Sequence, residues 1–151
     1  MDAVATVSLA AYGAAGHFDA NGSYAQSVSD VSGRRHHGTL LVAEDDGVVV
    51  GAVMLCRADS EYAEVSRGDE MEFRFLAVDP HRWGRRIGES LVTACEELAV
   101  AAGVDTMVIC VIDINTVAHR FYERLGYQRM PARDWQPVPG VDLLCFKKLL
   151  D

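Results

Sequence analysis

Val78-Asp79-Pro80-His81-Arg82-Trp83-Gly84-Arg85-Arg86-Ile87-Gly88 joins two different periodicities. Before it, from Glu70 to Val78, Glu72, Arg74, Leu76 and Val78 fall on one face and Phe73, Phe75 and Ala77 on the other. That alternation predicts a strand, which Asp79-Pro80 ends. After it, from Arg86 to Ala102, the apolar residues Ile87, Leu91, Val92, Cys95, Leu98 and Ala99 recur at helical spacing, and Gly103 supplies a C-cap. A strand that runs through a glycine-punctuated, basic loop straight into a helix predicts an anion site. The first N–H groups of a helix lack partners inside it, and the helix dipole places partial positive charge at the same end. Arg82, Arg85 and Arg86 add full charges. The predicted guest is a phosphate or pyrophosphate, although a loop with two glycines also serves elsewhere as a plain connection.

The surrounding sequence predicts a mixed α/β fold. Residues 3–14 (with Val4, Val7 and Leu9) and 22–35 read as short helices, the second weakened by Ser27, Ser29 and Ser32. Thr39–Glu44 and Val48–Cys56 are apolar, β-branched runs around Asp45-Asp46-Gly47, which predicts a hairpin. Residues 57–69 read as a polar loop. Asp105–Ile112 reads as a buried strand, Asn115–Leu125 as a helix closed by Gly126, and Tyr127–Met130 as a short strand. Residues 131–140, with Pro131, Pro137, Pro139 and Trp135, read as a loop before a last strand, Val141–Leu149. The strand–helix–strand crossover makes Glu70–Val78 and Asp105–Ile112 parallel neighbours or near neighbours.

Composition bounds the partners. With 151 residues the chain is expected to form one domain, 1–151. A net charge of −8 argues against nucleic acid and suits a cationic amine, though it also serves solubility. Cys56, Cys95, Cys110 and Cys145 are too scattered for a zinc or redox motif and read as reduced, buried thiols, which suits a cytoplasmic protein. Met1–Gly16 has Asp2 where a signal peptide carries basic residues, and no run reaches the length of a membrane span. His36-His37 lacks companion ligands and reads as solvated loop, so no metal is expected.

Asn115-Thr116-Val117-Ala118-His119-Arg120-Phe121-Tyr122-Glu123-Arg124-Leu125-Gly126-Tyr127 resembles the N-x-x-A-x-x-F-Y-x-x-x-G-Y/F signature of the GNAT-type N-acetyltransferases. The 78–88 loop resembles that family's acetyl-CoA motif, V-x-P-x-x-Q/R-x-x-G-x-G/A, and Glu72–Pro80 its entering strand. The resemblance is specific over residues 70–130 and looser over 39–56 and 141–149. Trp83 stands where the family has Gln or Arg, and Arg86 where it often has Gly. The family's opening strand has no counterpart before the helix-like sequence at Ala3, so an exposed sheet edge, covered by a loop or by a partner in a homodimer, is expected.

The resemblance implies a mostly antiparallel mixed sheet, flanked by helices, whose central parallel strand pair splays to admit the pantetheine arm. It implies that backbone groups of Leu76, Ala77 and Val78 bond that arm. It also implies that Trp83, Gly84, Arg85, Arg86, Ile87, Gly88 and Glu89 hold the pyrophosphate, with Arg85 or Arg86 making up for the missing Gln/Arg. Asn115 would bond the pantetheine or cap its helix. Tyr122 would protonate the departing thiolate, its alternative being a core tyrosine. Glu72 would take the proton from the amine, or else pair with Arg74. Glu70 and His81 are weaker candidates for that base, and His119 is expected to face solvent.

The function so implied is transfer of an acetyl or acyl group from acetyl-CoA to a primary amine by direct attack in a ternary complex, since no cysteine stands in a nucleophile context. The amine belongs to a small molecule or a protein. The alternative is a non-catalytic acyl-CoA-binding sensor or assembly module. A P-loop enzyme is disfavoured by the lack of G-x-x-x-x-G-K-[ST] and of any lysine near the loop.

Overall fold

The structure is a computed structural model, and it describes residue 3 and residues 38–151. The helices expected over 3–14 and 22–35, the missing first strand and the His36-His37 loop lie outside the described residues. Strand β1 (Thr39–Asp45) pairs antiparallel with β2 (Val48–Arg57). Their turn has positive φ at both Asp46 (51°) and Gly47 (78°), the twist that a two-residue hairpin needs. Strand β3 (Met71–Val78) is followed by a 3-10 turn, Pro80–Arg82, and by helix α1 (Ile87–Ala101). Strand β4 (Thr106–Ile112), helix α2 (Thr116–Arg124), β5 (Gln128–Arg129), a 3-10 turn (Pro131–Arg133), β6 (Trp135–Val138) and β7 (Val141–Leu149) complete the order. The sheet runs β1-β2-β3-β4-β7-β5, with β6 on β7. No described helix is long and apolar enough to cross a membrane.

The elements agree with the periodicities, including the crossover. β3 and β4 are parallel neighbours, paired as Met71–Met107 and Glu72–Val108. Two expectations change. Residues 131–140 are not simply loop: Trp135 pairs with Leu143 and Val138 with Val141 across an irregular register. Pro137 is tolerated there because β6 is an edge strand and need not donate its N–H. In β3 the alternation of buried and half-buried residues runs on through Phe75, yet that buried residue has φ of 59°, which a regular strand does not adopt. A bulky residue in the left-handed region is strained, and it kinks the strand.

The described residues form two compact units. The first joins residues 38–56 to Phe73–Cys95. Its core is the buried run Val50–Cys56 with Phe73, Phe75, Ala77, Leu91, Val92 and Cys95. Gly51 admits the start of α1: a Cβ there would lie 3.0 Å from Leu91 Cδ1, 3.1 Å from Ile87 Cγ2 and 3.2 Å from the Ala77 carbonyl oxygen. The absence of a side chain therefore sets how closely the helix start approaches β2.

The second unit joins Arg57–Glu72 to Glu96–Asp151. β4 pairs along its whole length with β7, from Thr106–Leu149 to Ile112–Leu143. Both helix C-termini here close in Schellman fashion. Gly103 (φ 81°) lets Val104 N–H reach the Ala99 carbonyl at 2.9 Å, and Gly126 (φ 97°) lets Tyr127 N–H reach the Tyr122 carbonyl at 3.0 Å. Cys56, Cys95 and Cys145 are each buried and Cys110 is half-buried, and none of the four forms a disulfide among the described residues.

Candidate acetyl-CoA site

The first unit carries the loop. Asp79 starts its 3-10 turn, accepting the His81 N–H on its side chain at 3.0 Å and the Arg82 N–H on its carbonyl at 2.8 Å. The Trp83 N–H goes to the Pro80 carbonyl at 3.4 Å, and the Trp83 indole N–H donates to the Val78 carbonyl at 2.9 Å. Asp79 N–H is anchored on the Val50 carbonyl at 2.8 Å, and Arg82 forms an ion pair with Asp45. Arg82 is therefore committed to β1, while Arg85 and Arg86 are exposed.

From Gly84 to Glu89 the pattern reverses. None of these N–H groups finds a hydrogen-bond partner among the described residues. Helix bonding resumes at Ser90, whose N–H and hydroxyl both reach the Arg86 carbonyl at 3.0 Å. Two left-handed residues turn the chain here, Gly84 at φ 87° and Arg86 at φ 60°. Arg86, the departure from the family pattern, thus keeps a glycine-like backbone at a cost of about 1–2 kcal/mol. Amides without a partner among the described residues, opening a 15-residue helix, are the arrangement that can accept an anion.

In the second unit, Asn115 caps α2, its Oδ1 accepting the Ala118 N–H at 3.1 Å. Tyr122 is buried on α2, its ring edge-on to Phe121 (5.0 Å between centroids) and to Tyr127 (5.8 Å). The Gly126 turn brings Tyr127 back to the Tyr122 carbonyl, which gives the F-Y-x-x-x-G-Y spacing a physical reason. Tyr127 in turn donates to Glu96 at 2.8 Å, and Lys148 reaches the same carboxylate at 3.1 Å. His119 does not face solvent as expected. It is half-buried, with Nε2 3.0 Å from the Ile112 carbonyl and its ring against Phe146.

Glu72 is fully buried. Its partner is not Arg74 but the 64–66 turn: Oε1 accepts the N–H groups of Glu64, Val65 and Ser66 at 3.0, 3.1 and 2.9 Å and the Ser66 hydroxyl at 2.7 Å. Arg74 lies over the Phe75 ring, 4.4 Å from its centroid. No sequence signal marks residues 64–66 as a carboxylate cradle, because backbone N–H groups supply most of it.

Around this cradle the charges are paired. Arg133 forks onto Glu70, with bonds of 3.0 and 2.7 Å, and also reaches the Val65 carbonyl. Those hydrogen bonds hold the Glu70 carboxyl below its ordinary pKa, against the opposing effect of burial. Arg129 likewise forks onto Asp134, at 2.8 and 2.6 Å, and holds that carboxyl down. Burial pushes the Cys145 thiol up to about 11, and its Sγ donates to the Arg133 carbonyl at 2.8 Å. That is an inert structural thiol.

Over residues 10–127 the sequence matches the profile of the Acetyltransferase (GNAT) family. The chain belongs to this family. Among curated proteins, human N-acetylaspartate synthetase is 31% identical over 108 residues, covering 72% of this chain and 33% of that protein. The mouse protein of the same name is 30% identical over 108 residues, covering 72% of this chain and 34% of its own. The chain thus spans about a third of the length of the curated relatives it matches. Among solved structures, a GNAT-family acetyltransferase from Staphylococcus aureus superposes with a TM-score of 0.76 at 16% identity, over 99% of this chain and 92% of that one. The PaiA N-acetyltransferase from Thermoplasma acidophilum, in complex with coenzyme A, gives 0.72 at 17% identity, over 97% and 91%. At these identities the likeness is one of fold, and it is the GNAT fold that the 70–130 motifs imply.

Proposed function

We propose that this GNAT protein is an N-acetyltransferase that passes the acetyl group of acetyl-CoA to a primary amine by direct attack. The row of amides from Gly84 to Glu89, which find no partner among the described residues, with Arg85 and Arg86 exposed beside it, carries the reading. A diphosphate offers the acceptor oxygens and negative charge that such a row lacks. The seat is open, since a Cβ on Gly84 would meet nothing within 4 Å. Acetyl-CoA supplies the activated acyl group when bound.

The remaining roles belong to this chain's own groups. Backbone groups of Leu76, Ala77 and Val78 bond the pantetheine arm as an added strand would. As the amine nitrogen bonds the acyl carbon and the carbon–sulfur bond breaks, Tyr122 gives the leaving thiolate its proton. Asn115 holds the start of α2 and offers its amide to the arm. Glu72 shapes the 64–66 turn and is the first carboxylate to test as the base. The curated relatives are named for N-acetylaspartate synthesis, so amino acids head the acceptor panel, with aspartate first. A cytoplasmic location suits cysteines that stay reduced.

The test is release of free CoA thiol from acetyl-CoA across a panel of amines, together with a melting measurement. A ligand at a hundred times its Kd stabilises by about 2.7 kcal/mol. Stabilisation by acetyl-CoA and amine-dependent thiol release are expected. Stabilisation by ATP but not by acetyl-CoA overturns the reading. Binding without thiol release for any amine favours an acyl-CoA-binding module instead.

A further inference from the structure

The amides of the 79–89 segment divide at Trp83. Those of His81, Arg82 and Trp83 are consumed by the turn that Asp79 and Pro80 begin, and those of Gly84 to Glu89 find no partner among the described residues. The Trp83 indole stands on that boundary. Its N–H spans the 3-10 turn to the Val78 carbonyl at 2.9 Å, clasping the last residue of β3 to the residue before the first released amide. Trp83 is 54% exposed, so burial does not account for a tryptophan here. The donated hydrogen bond does.

That bond has two physical consequences. A backbone carbonyl near a diphosphate seat presents the wrong end of its dipole, and an indole N–H satisfies one of its lone pairs and fixes its direction. The clasp also fixes where the chain leaves the turn, and so where the Gly84–Glu89 amides point. Arg82–Asp45 and Asp79–Val50 secure the start and middle of the turn, whereas Trp83 secures its exit. The Gln or Arg that the family carries at this position is also a side-chain N–H donor.

We infer that Trp83 is a positioning residue for the diphosphate seat, acting through its indole clasp on the Val78 carbonyl. This rests on the acetyl-CoA reading above. Trp83→Phe keeps an aromatic ring and loses the donor. Trp83→Gln loses the ring and keeps a donor. Wild type and both variants are titrated with acetyl-CoA and with inorganic pyrophosphate, and KM and kcat are measured with acetyl-CoA and with S-acetylpantetheine, which lacks the diphosphate.

Trp83→Phe is expected to weaken acetyl-CoA and pyrophosphate together, by up to about tenfold, the range of one lost hydrogen bond. The loss falls on KM for acetyl-CoA more than on kcat and is smaller toward S-acetylpantetheine, and Trp83→Gln recovers most of the lost affinity. Unchanged affinity in Trp83→Phe, equal weakening toward the phosphate-free donor, or no recovery in Trp83→Gln overturns the inference. If Trp83→Phe fails to fold, amide exchange in Trp83→Gln decides: pyrophosphate still protects Gly84–Glu89 if the donor matters, and no longer does if the ring matters. A wild type that binds neither acetyl-CoA nor pyrophosphate defeats the acetyl-transfer reading itself. A wild type that binds both, alongside an indistinguishable Trp83→Phe, defeats this inference alone.

Discussion

Glu64 gives its backbone N–H to both carboxylate oxygens of Glu72, at 3.0 and 3.1 Å. The carboxylate thereby folds the 64–66 turn around itself. Glu72→Gln places an amide NH2 among donors and is expected to destabilise the protein by about 1–3 kcal/mol. Ser66→Ala removes the 2.7 Å hydroxyl bond alone and is expected to cost about 1 kcal/mol. Denaturant midpoints at constant m-value measure both. If Glu72 is also the base, the acidic limb of the pH–rate profile flattens in Glu72→Gln. A variant of unchanged stability would show that the turn does not depend on the carboxylate.

Arg86 holds φ at 60° without being glycine. Arg86→Gly relieves about 1–2 kcal/mol of backbone strain and gives back part of it through the freer unfolded chain. The expected net is a stabilisation of about 0.5–1 kcal/mol, read from the denaturant midpoint. Acetyl-CoA affinity is expected to fall modestly through the lost charge and to fall less at high salt. A destabilised Arg86→Gly would contradict the left-handed assignment.

Much of this was legible in the sequence because burial imposes period. The apolar positions of α1 and the dense run of β4 announce themselves, and Asp46-Gly47 announces its turn. β6 was hidden by Pro137, which an edge position tolerates. The Phe75 kink was hidden because alternation continues in the letters on either side of it. The 78–88 loop and the Asn115–Tyr127 run were each readable as a motif. The cradle of Glu72 was not, since backbone amides supply most of it, and neither was the Arg82–Asp45 pair, which joins ordinary surface charges far apart in the chain.

Asn115→Ala removes the cap on Ala118 N–H and is expected to cost about 1 kcal/mol, whereas Asn115→Asp keeps a capping oxygen and should be nearly neutral. If the Asn115 amide also bonds the pantetheine arm, Asn115→Asp retains its melting temperature and loses acetyl-CoA affinity. Calorimetry and a binding titration on the same sample separate the two tasks. Equal stability of Asn115→Ala and wild type would remove the cap from the account.

The Glu70–Arg133 fork makes stability depend on acid. Arg133 depresses the folded-state pKa of Glu70 below 4.5, so folding binds fewer protons at this site. The stabilisation is complete above the unfolded pKa, near 4.5, and is lost as pH falls through the depressed folded value. Glu70→Gln is expected to be less stable than wild type at neutral pH, by about 1–3 kcal/mol. It should also lose less stability on acidification. Parallel pH–stability curves for the two proteins would rule the fork out as an acid-sensitive element.

Tyr122→Phe is expected to lower kcat by about a hundredfold while leaving acetyl-CoA affinity near wild type, as befits a proton donor in the transition state. An unchanged kcat would return Tyr122 to the hydrophobic core, where its edge-on contacts with Phe121 and Tyr127 already place its ring.

Backbone NMR through an acetyl-CoA titration reads the amides from Gly84 to Glu89 one at a time. Saturable shifts and slowed exchange across that row, reproduced in part by inorganic pyrophosphate, are the predicted result. Acetyl-CoA that binds while those amides stay unchanged, or that does not bind at all, would contradict it.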